Sequence, residues 1–136
     1  SIPSWDWHRA GVGPQRSATC VRAAGVAGRL EQIVDMSSRD ADARLQAVPG
    51  IGAWTSAEVR SRAWGDADAV SVGDAHVPRM ITYALTGAVS DSDEVMLEAL
   101  RPYAGHRFRV QRILERVGVS TPRFGPKYAP HDFRRM

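Results

Sequence analysis

The stretch Leu45-Gln46-Ala47-Val48-Pro49-Gly50-Ile51-Gly52-Ala53-Trp54-Thr55-Ser56-Ala57 decides how the chain is read. Apolar residues ahead of it recur at helical spacing, Pro49-Gly50 stops that helix, and a second helical pattern starts just past Gly52. Two glycines in so short a turn let the backbone bend sharply and let another backbone come close. The first amides of the second helix have no intrahelical partner and sit at the positive end of its dipole. A phosphate oxygen can bind there without any side chain. A bare Pro-Gly-x-Gly is most often an ordinary helix connection; Leu45 upstream and Trp54, Thr55 and Ala57 downstream make this pattern more specific.

Outward from the hairpin, apolar residues recur with a period near 3.6 between Gly and Pro breaks, and no alternating strand pattern occurs, so an all-α domain is expected. A short aromatic piece over residues 2–8 and a Gly-Val-Gly-Pro turn lead into a helix over 14–34. That helix should turn Ala18, Val21, Val26, Leu30 and Ile33 inward, with Gly25 and Gly28 marking a break in its middle. Ser37 with Asp40 resembles a capping box opening a helix whose Ala41, Leu45 and Val48 share a face. Further helices are expected over 53–64 and 75–87, where Pro78 fits in a first turn. Ser90 and Asp93 should cap the next, with Val95, Met96, Ala99 and Leu100 buried. The last, over 105–117, should bury Val110, Ile113, Leu114 and Val117 and turn Arg109, Arg112 and Arg116 elsewhere, as a phosphate-facing stripe or a solvated face. Residues 1–118 thus form the helical domain, and 119–136, punctuated by Pro122, Pro126 and Pro130, an irregular basic tail.

At 136 residues and 43% hydrophobic content the chain fits one domain. Its single cysteine, Cys20, excludes a disulfide framework and a four-thiolate metal site within the chain. No apolar run approaches the roughly 20 residues that cross a bilayer, and no signal-peptide pattern opens the sequence, so a soluble, cytoplasmic protein is expected. Net charge is only +3 but uneven: residues 1–100 hold 9 basic and 13 acidic side chains, residues 101–136 hold 9 basic and 2 acidic. A basic third on an acidic remainder suits a polyanion, because neutralising phosphates releases counterions.

A second motif, Val70-Ser71-Val72-Gly73-Asp74-Ala75-His76-Val77, places Asp74 24 residues past Gly50, after a Gly/Asp-rich loop and at the head of a helix. Taken alone, Asp74 is a helix N-cap. Together the two motifs resemble the helix-hairpin-helix DNA glycosylase superfamily, whose signature pairs this hairpin with a Gly/Pro-rich loop and an aspartate. The resemblance implies a helical glycosylase fold that grips duplex DNA through the hairpin residues Pro49, Gly50, Ile51, Gly52 and Thr55. It also implies that Asp74 is the catalytic residue, facing the anomeric carbon of a nucleotide rotated out of the duplex. His76 is expected to pack or touch phosphate rather than act as a general acid.

Pro-Gly-Ile-Gly-x-Trp-Thr is similar to the bacterial alkylpurine branch, 3-methyladenine DNA glycosylase II, in which the tryptophan lines an aromatic lesion pocket. Trp54, and Tyr103 in Arg101-Pro102-Tyr103, are the implied pocket rings. Alkylated purines carry positive charge, so electron-rich rings attract them, and they leave without a general acid. Trp54 stands where lyase members carry a lysine, and the only lysine is Lys127 in the tail, so monofunctional hydrolysis by water is expected. No cofactor and no metal are expected, with a monovalent ion at the hairpin carbonyls left open, and double-stranded DNA with alkylated bases is the expected partner. The family core is longer at its N-terminal side, where its wedge residue lies, so these residues are expected to be the C-terminal portion of such a core. Two alternatives stand beside this: a noncatalytic helix-hairpin-helix DNA-binding module, and a glycosylase for oxidised or deaminated bases.

Overall fold

The computed structural model describes residues 2–121, all of whose regular structure is helical. Most of the expected basic tail, with Pro122, Pro126, Lys127 and Pro130, lies outside the described residues. In chain order the elements are α1 (Ser4–Arg9), α2 (Pro14–Gly25), α3 (Ala27–Glu31), a 3-10 turn (Gln32–Asp35), α4 (Ser38–Gln46) and α5 (Ala53–Val59). A π-helical turn (Arg60–Trp64) continues α5, and α6 (Val77–Thr86), α7 (Asp93–Leu100), a second 3-10 turn (Arg101–Tyr103) and α8 (Arg107–Arg116) complete the order. No helix among the described residues is long and apolar enough to cross a membrane.

Two apolar clusters organise these helices. Ile33, Ala41 and Leu45 form the first, with Leu30, Met36, Ile51, Val59 and Trp64 against them. Val70, Val77, Ile81, Met96 and Leu100 form the second, joined by Val72, Met80, Leu85, Val110 and Leu114. The hairpin belongs to the first and the Gly73-Asp74 turn borders the second.

Local signals account for most helix ends. The Ser37 hydroxyl accepts from the Asp40 amide at 3.2 Å and donates to the Asp40 carboxylate at 2.7 Å, a variant of the expected capping box. Pro78 occupies the first turn of α6, and Gly87, at φ 76°, ends that helix in the left-handed region that glycine adopts without strain. Between α5 and α6, Asp68 reaches across the chain to the start of α8. Its carboxylate accepts from the amides of Gly105 and Arg107 at 2.9 and 3.0 Å and pairs with the Arg107 guanidinium. Beneath the π turn, nearly buried Arg60 pairs with Asp66 at 2.7 Å and Asp42 at 3.2 Å, and donates to Ser38.

Four expectations are corrected. The helix over 14–34 is three pieces: Val26 leaves helical geometry between Gly25 and Gly28 (φ −120°, ψ 21°), so the halves do not share one face. Ile33 is buried but Val21 is exposed. The cap of α7 is Ser92, which accepts from the Val95 amide, and not Ser90; the register shift leaves Met96 and Leu100 fully buried and Val95 exposed. The 75–87 helix begins at Val77, because Asp74 terminates the preceding turn. On α8 the buried position is Gln111, so Ile113 and Val117 are 61% and 68% exposed. A polar anchor explains that rotation: Gln111 accepts from the Ser71 amide and donates to the Ser71 hydroxyl, which turns Ile113 outward while Val110 and Leu114 stay against the core.

Candidate active site

The hairpin folds as its residue types dictate. Gly50 takes φ +99°, and a β-carbon built there would lie 2.1 Å from the Thr19 hydroxyl of α2, so glycine is required by conformation and by space. Pro49, Gly50 and Gly52 are exposed, Thr55 is half-buried, and the Ile51 side chain turns inward onto the first cluster. The Ser56 amide is the first in α5 to close a helical bond, to the Gly52 carbonyl at 2.9 Å. The amides of Ala53, Trp54 and Thr55 therefore precede the hydrogen-bonded ladder, and no side chain of Gly52 can cap them. Arg22 on α2 donates to the Pro49 carbonyl at 3.3 Å, bringing a cation to the hairpin edge.

In the first turn of α5, two residues past Gly52, Trp54 is 44% exposed, and its indole Nε1–H donates to Asp74 Oδ2 at 3.0 Å. The other carboxylate oxygen, Oδ1, accepts the amides of His76 at 2.7 Å and Val77 at 3.0 Å, capping α6. Gly73, at φ 84°, makes the left-handed bend that delivers Asp74 to this place, and its amide donates to both oxygens of Asp93 on α7, at 3.2 and 3.0 Å. The two sequence motifs, 20 residues apart at Trp54 and Asp74, thus meet through one hydrogen bond.

Partial burial opposes ionisation of Asp74, but the two amides, the indole N–H and the nearby His76 ring outweigh it and hold its carboxyl below the ordinary value of 3.8. The group is an anion at neutral pH. A carboxylate offers about four lone-pair directions. Among the described residues Oδ1 takes two donors and Oδ2 one, which leaves one direction on Oδ2 for a reacting partner.

The remaining sequence candidates are more scattered. Tyr103, exposed on the 3-10 turn after α7, makes no hydrogen bond with Trp54 or Asp74; its carbonyl accepts the His106 amide. His76 is exposed, and it reaches Asp74 through its backbone amide. Arg109, Arg112 and Arg116 are exposed on α8; Arg112 pairs with Glu115, and Arg109 lies 3.1 Å from His106 Nδ1. Arg22 and Asp93 were not legible as site residues. Nothing local distinguishes Arg22 from other exposed arginines, and Asp93 carries an ordinary first-turn acid signal that hides its bond to Gly73.

Compared with known proteins, the chain matches no family model, no curated protein and no solved structure.

Proposed function

We propose that this chain carries the reaction centre of a monofunctional DNA glycosylase that hydrolyses the N-glycosidic bond of alkylated purines flipped out of duplex DNA. The observation that carries the reading is the Trp54 to Asp74 hydrogen bond of 3.0 Å, which joins the hairpin helix to an ionised carboxylate with a free lone-pair direction. The hairpin's leading amides suit a phosphate oxygen, which would set the register of the duplex on the protein without reading bases.

Hydrolysis breaks the bond from the anomeric carbon to the base nitrogen, and the electron pair leaves with the base. Positive charge grows on the sugar as that bond lengthens, so an anion fixed beside it stabilises the transition state more than the ground state. Oδ2 of Asp74 also suits the incoming water, whose oxygen bonds the anomeric carbon as its proton is drawn toward the carboxylate. An N3- or N7-alkylated purine is cationic and departs neutral, so no acid is needed. The exposed face of Trp54 offers such a base a cation–π contact worth about 0.5–2 kcal/mol. At the place where an amine nucleophile would stand there is an indole, which favours water as the attacking group.

Duplex with a single 7-methylguanine is incubated with the protein, and abasic sites are then cleaved with alkali. Product should depend on the lesion and disappear in Asp74→Asn. Salt-sensitive duplex binding with no base release, unchanged in that variant, would instead select the noncatalytic binding module, a reading that the capping role of Oδ1 independently favours.

A further inference from the structure

Asp74 can act only if its free oxygen is held still, and the backbone bond nearest to it gives little help. The Asp74 amide reaches the Ser71 carbonyl at a long 3.3 Å. The preceding residue, Gly73, is exposed and in the left-handed region at φ 84°, where glycine has more freedom than any other residue. A β-carbon on Gly73 would meet only Trp54 Cβ, at 4.0 Å, so packing does not confine the bend either. What holds it is a carboxylate from another helix. Both oxygens of Asp93, the first residue of α7, accept the Gly73 amide.

We infer that Asp93 is a positioning residue for Asp74, a role that rests on the function proposed above. It clamps the peptide bond preceding Gly73 against the head of α7. The bend then keeps Oδ1 on the amides of His76 and Val77 and Oδ2 on the indole of Trp54, with the remaining direction of Oδ2 held at a fixed angle. Asp93 touches neither substrate nor the reacting atoms. Its charge also suits the N-terminus of α7, whose cap is formed separately by Ser92 accepting the Val95 amide. These two roles separate chemically. An asparagine keeps an acceptor for Gly73 but gives up the charge at the helix end, whereas alanine gives up both.

The test compares Asp93→Ala, Asp93→Asn and, as a control for loosening the same pair of helices, Asp91→Ala, which breaks only the Arg79 to Asp91 ion pair. Single-turnover excision from the 7-methylguanine duplex is measured with binding to a duplex carrying a tetrahydrofuran abasic analogue. A displacement of about 1 Å at a reacting group costs up to about 100-fold. Asp93→Ala should therefore lose about 10- to 100-fold in excision, with analogue binding within about twofold of the parent. Asp93→Asn should stay within about threefold, and Asp91→Ala should be unchanged, since its side chain meets neither Gly73 nor Asp74. Should the alanine variant fail to fold, Asp93→Pro withdraws the acceptor while keeping a residue suited to the first position of a helix.

Excision by Asp93→Ala at the parental rate overturns the inference. So does an asparagine variant as impaired as alanine, which would assign the effect to helix charge. A parent protein that excises nothing, or an Asp74→Asn variant that excises normally, defeats the proposed function instead. The positioning claim is then judged on the Trp54 indole N–H resonance of the free protein, assigned with Trp54→Phe. It must shift in Asp93→Ala and hold in Asp93→Asn, and an unmoved resonance overturns the clamp.

Discussion

Replacing Asp74 tests a residue that holds three donors in the structure and is proposed to act on the substrate, and two substitutions separate the two roles. Alanine removes every bond the carboxylate makes: the amides of His76 and Val77 lose their cap, worth about 0.5–2 kcal/mol, and the Trp54 indole loses its acceptor, worth about 1 kcal/mol. The total is about 1.5–3 kcal/mol of folding stability. Asparagine keeps an oxygen for the two amides, since it caps as well as aspartate. Its NH2 group then faces the indole N–H, donor against donor, so only the indole bond is forfeited and the loss is about 1–2 kcal/mol.

Chemistry should divide differently. Removal of one preorganised electrostatic contact to the transition state typically costs about 100- to 1,000-fold, and both variants remove the anion. Equilibrium urea unfolding followed by circular dichroism, alongside single-turnover excision, reads the two axes separately. With a slope of about 1–3 kcal/mol per molar urea, the alanine variant should unfold about 0.5–3 M earlier than the parent. Asparagine should lie between them and excise no faster than alanine. A domain with typical stability of about 5–15 kcal/mol remains folded through either loss, so the rate defect cannot be assigned to unfolding. An asparagine variant within about threefold of parental excision would refute the catalytic assignment. One as unstable as alanine would refute the division of Asp74's bonds between cap and indole.

Other perturbations follow from the same contacts. Because the folded carboxyl of Asp74 titrates below its ordinary 3.8, its contribution to stability is present above that value and is lost as pH falls through the depressed one. Excision should accordingly have no acid limb from this group above about pH 4.5, and Trp54→Phe, which withdraws the indole donor, should move the limb upward; a parental limb near pH 6 would contradict an ionised Asp74. Asp68 is held low mainly by its hydrogen bond from Arg107, which outweighs burial, and it anchors the start of α8. Allowing for solvent at this partly exposed pair, Asp68→Ala should cost about 1–3 kcal/mol in urea melts at pH 7 and progressively less as pH falls below the ordinary carboxylate value through the depressed one, and a loss that stays constant across that whole acid range would refute the ion pair's role. Arg22→Ala, at the hairpin edge, should lower the slope of log affinity against log salt for duplex binding by about 0.9 and leave excision at saturation unchanged; an identical slope would remove Arg22 from the phosphate contact.

The sequence made legible those features whose cause is local. The hairpin, the Ser37 cap, Pro78 in a first turn and the end of α6 at Gly87 each depend on residues within a few positions of one another. Trp54 and Asp74 were legible as candidates through the resemblance of their motifs to a known family; from its own neighbours Asp74 reads as a helix cap. What pairing alone decides left no periodic trace. Asp68 meets Arg107 39 residues later, Ser71 meets Gln111 across 40, and Arg60 gathers Asp42, Asp66 and Ser38 from three separate places. The pattern on α8 favoured Ile113 and Val117 because hydrophobicity was the only signal to follow. Gln111 overrode it, since a buried amide fully satisfied by Ser71 and Glu115 anchors a helix as firmly as a leucine does.

The candidate site lies on the seam between the two apolar clusters, and that location has a physical basis. Trp54 belongs to the hairpin helix, whose neighbours form the first cluster, while Asp74 heads α6, whose Val77 and Ile81 lie in the second. Within either cluster a carboxylate would be desolvated and driven neutral. At the seam Asp74 keeps partial access to water, yet it is oriented by donors from α5 and α6 at once. The same seam is closed by Ser71, which donates to Glu58 at 2.6 Å and exchanges bonds with Gln111, so α5, the turn before Asp74 and α8 are tied together by hydrogen bonds. A hairpin that only gripped DNA would need none of this, because its amides are presented by the Pro-Gly-Ile-Gly turn alone. Under the glycosylase reading proposed above, the polar bonds holding Gly73 and Asp74 against a neighbouring helix are what a reaction centre would need beyond a bare binding turn.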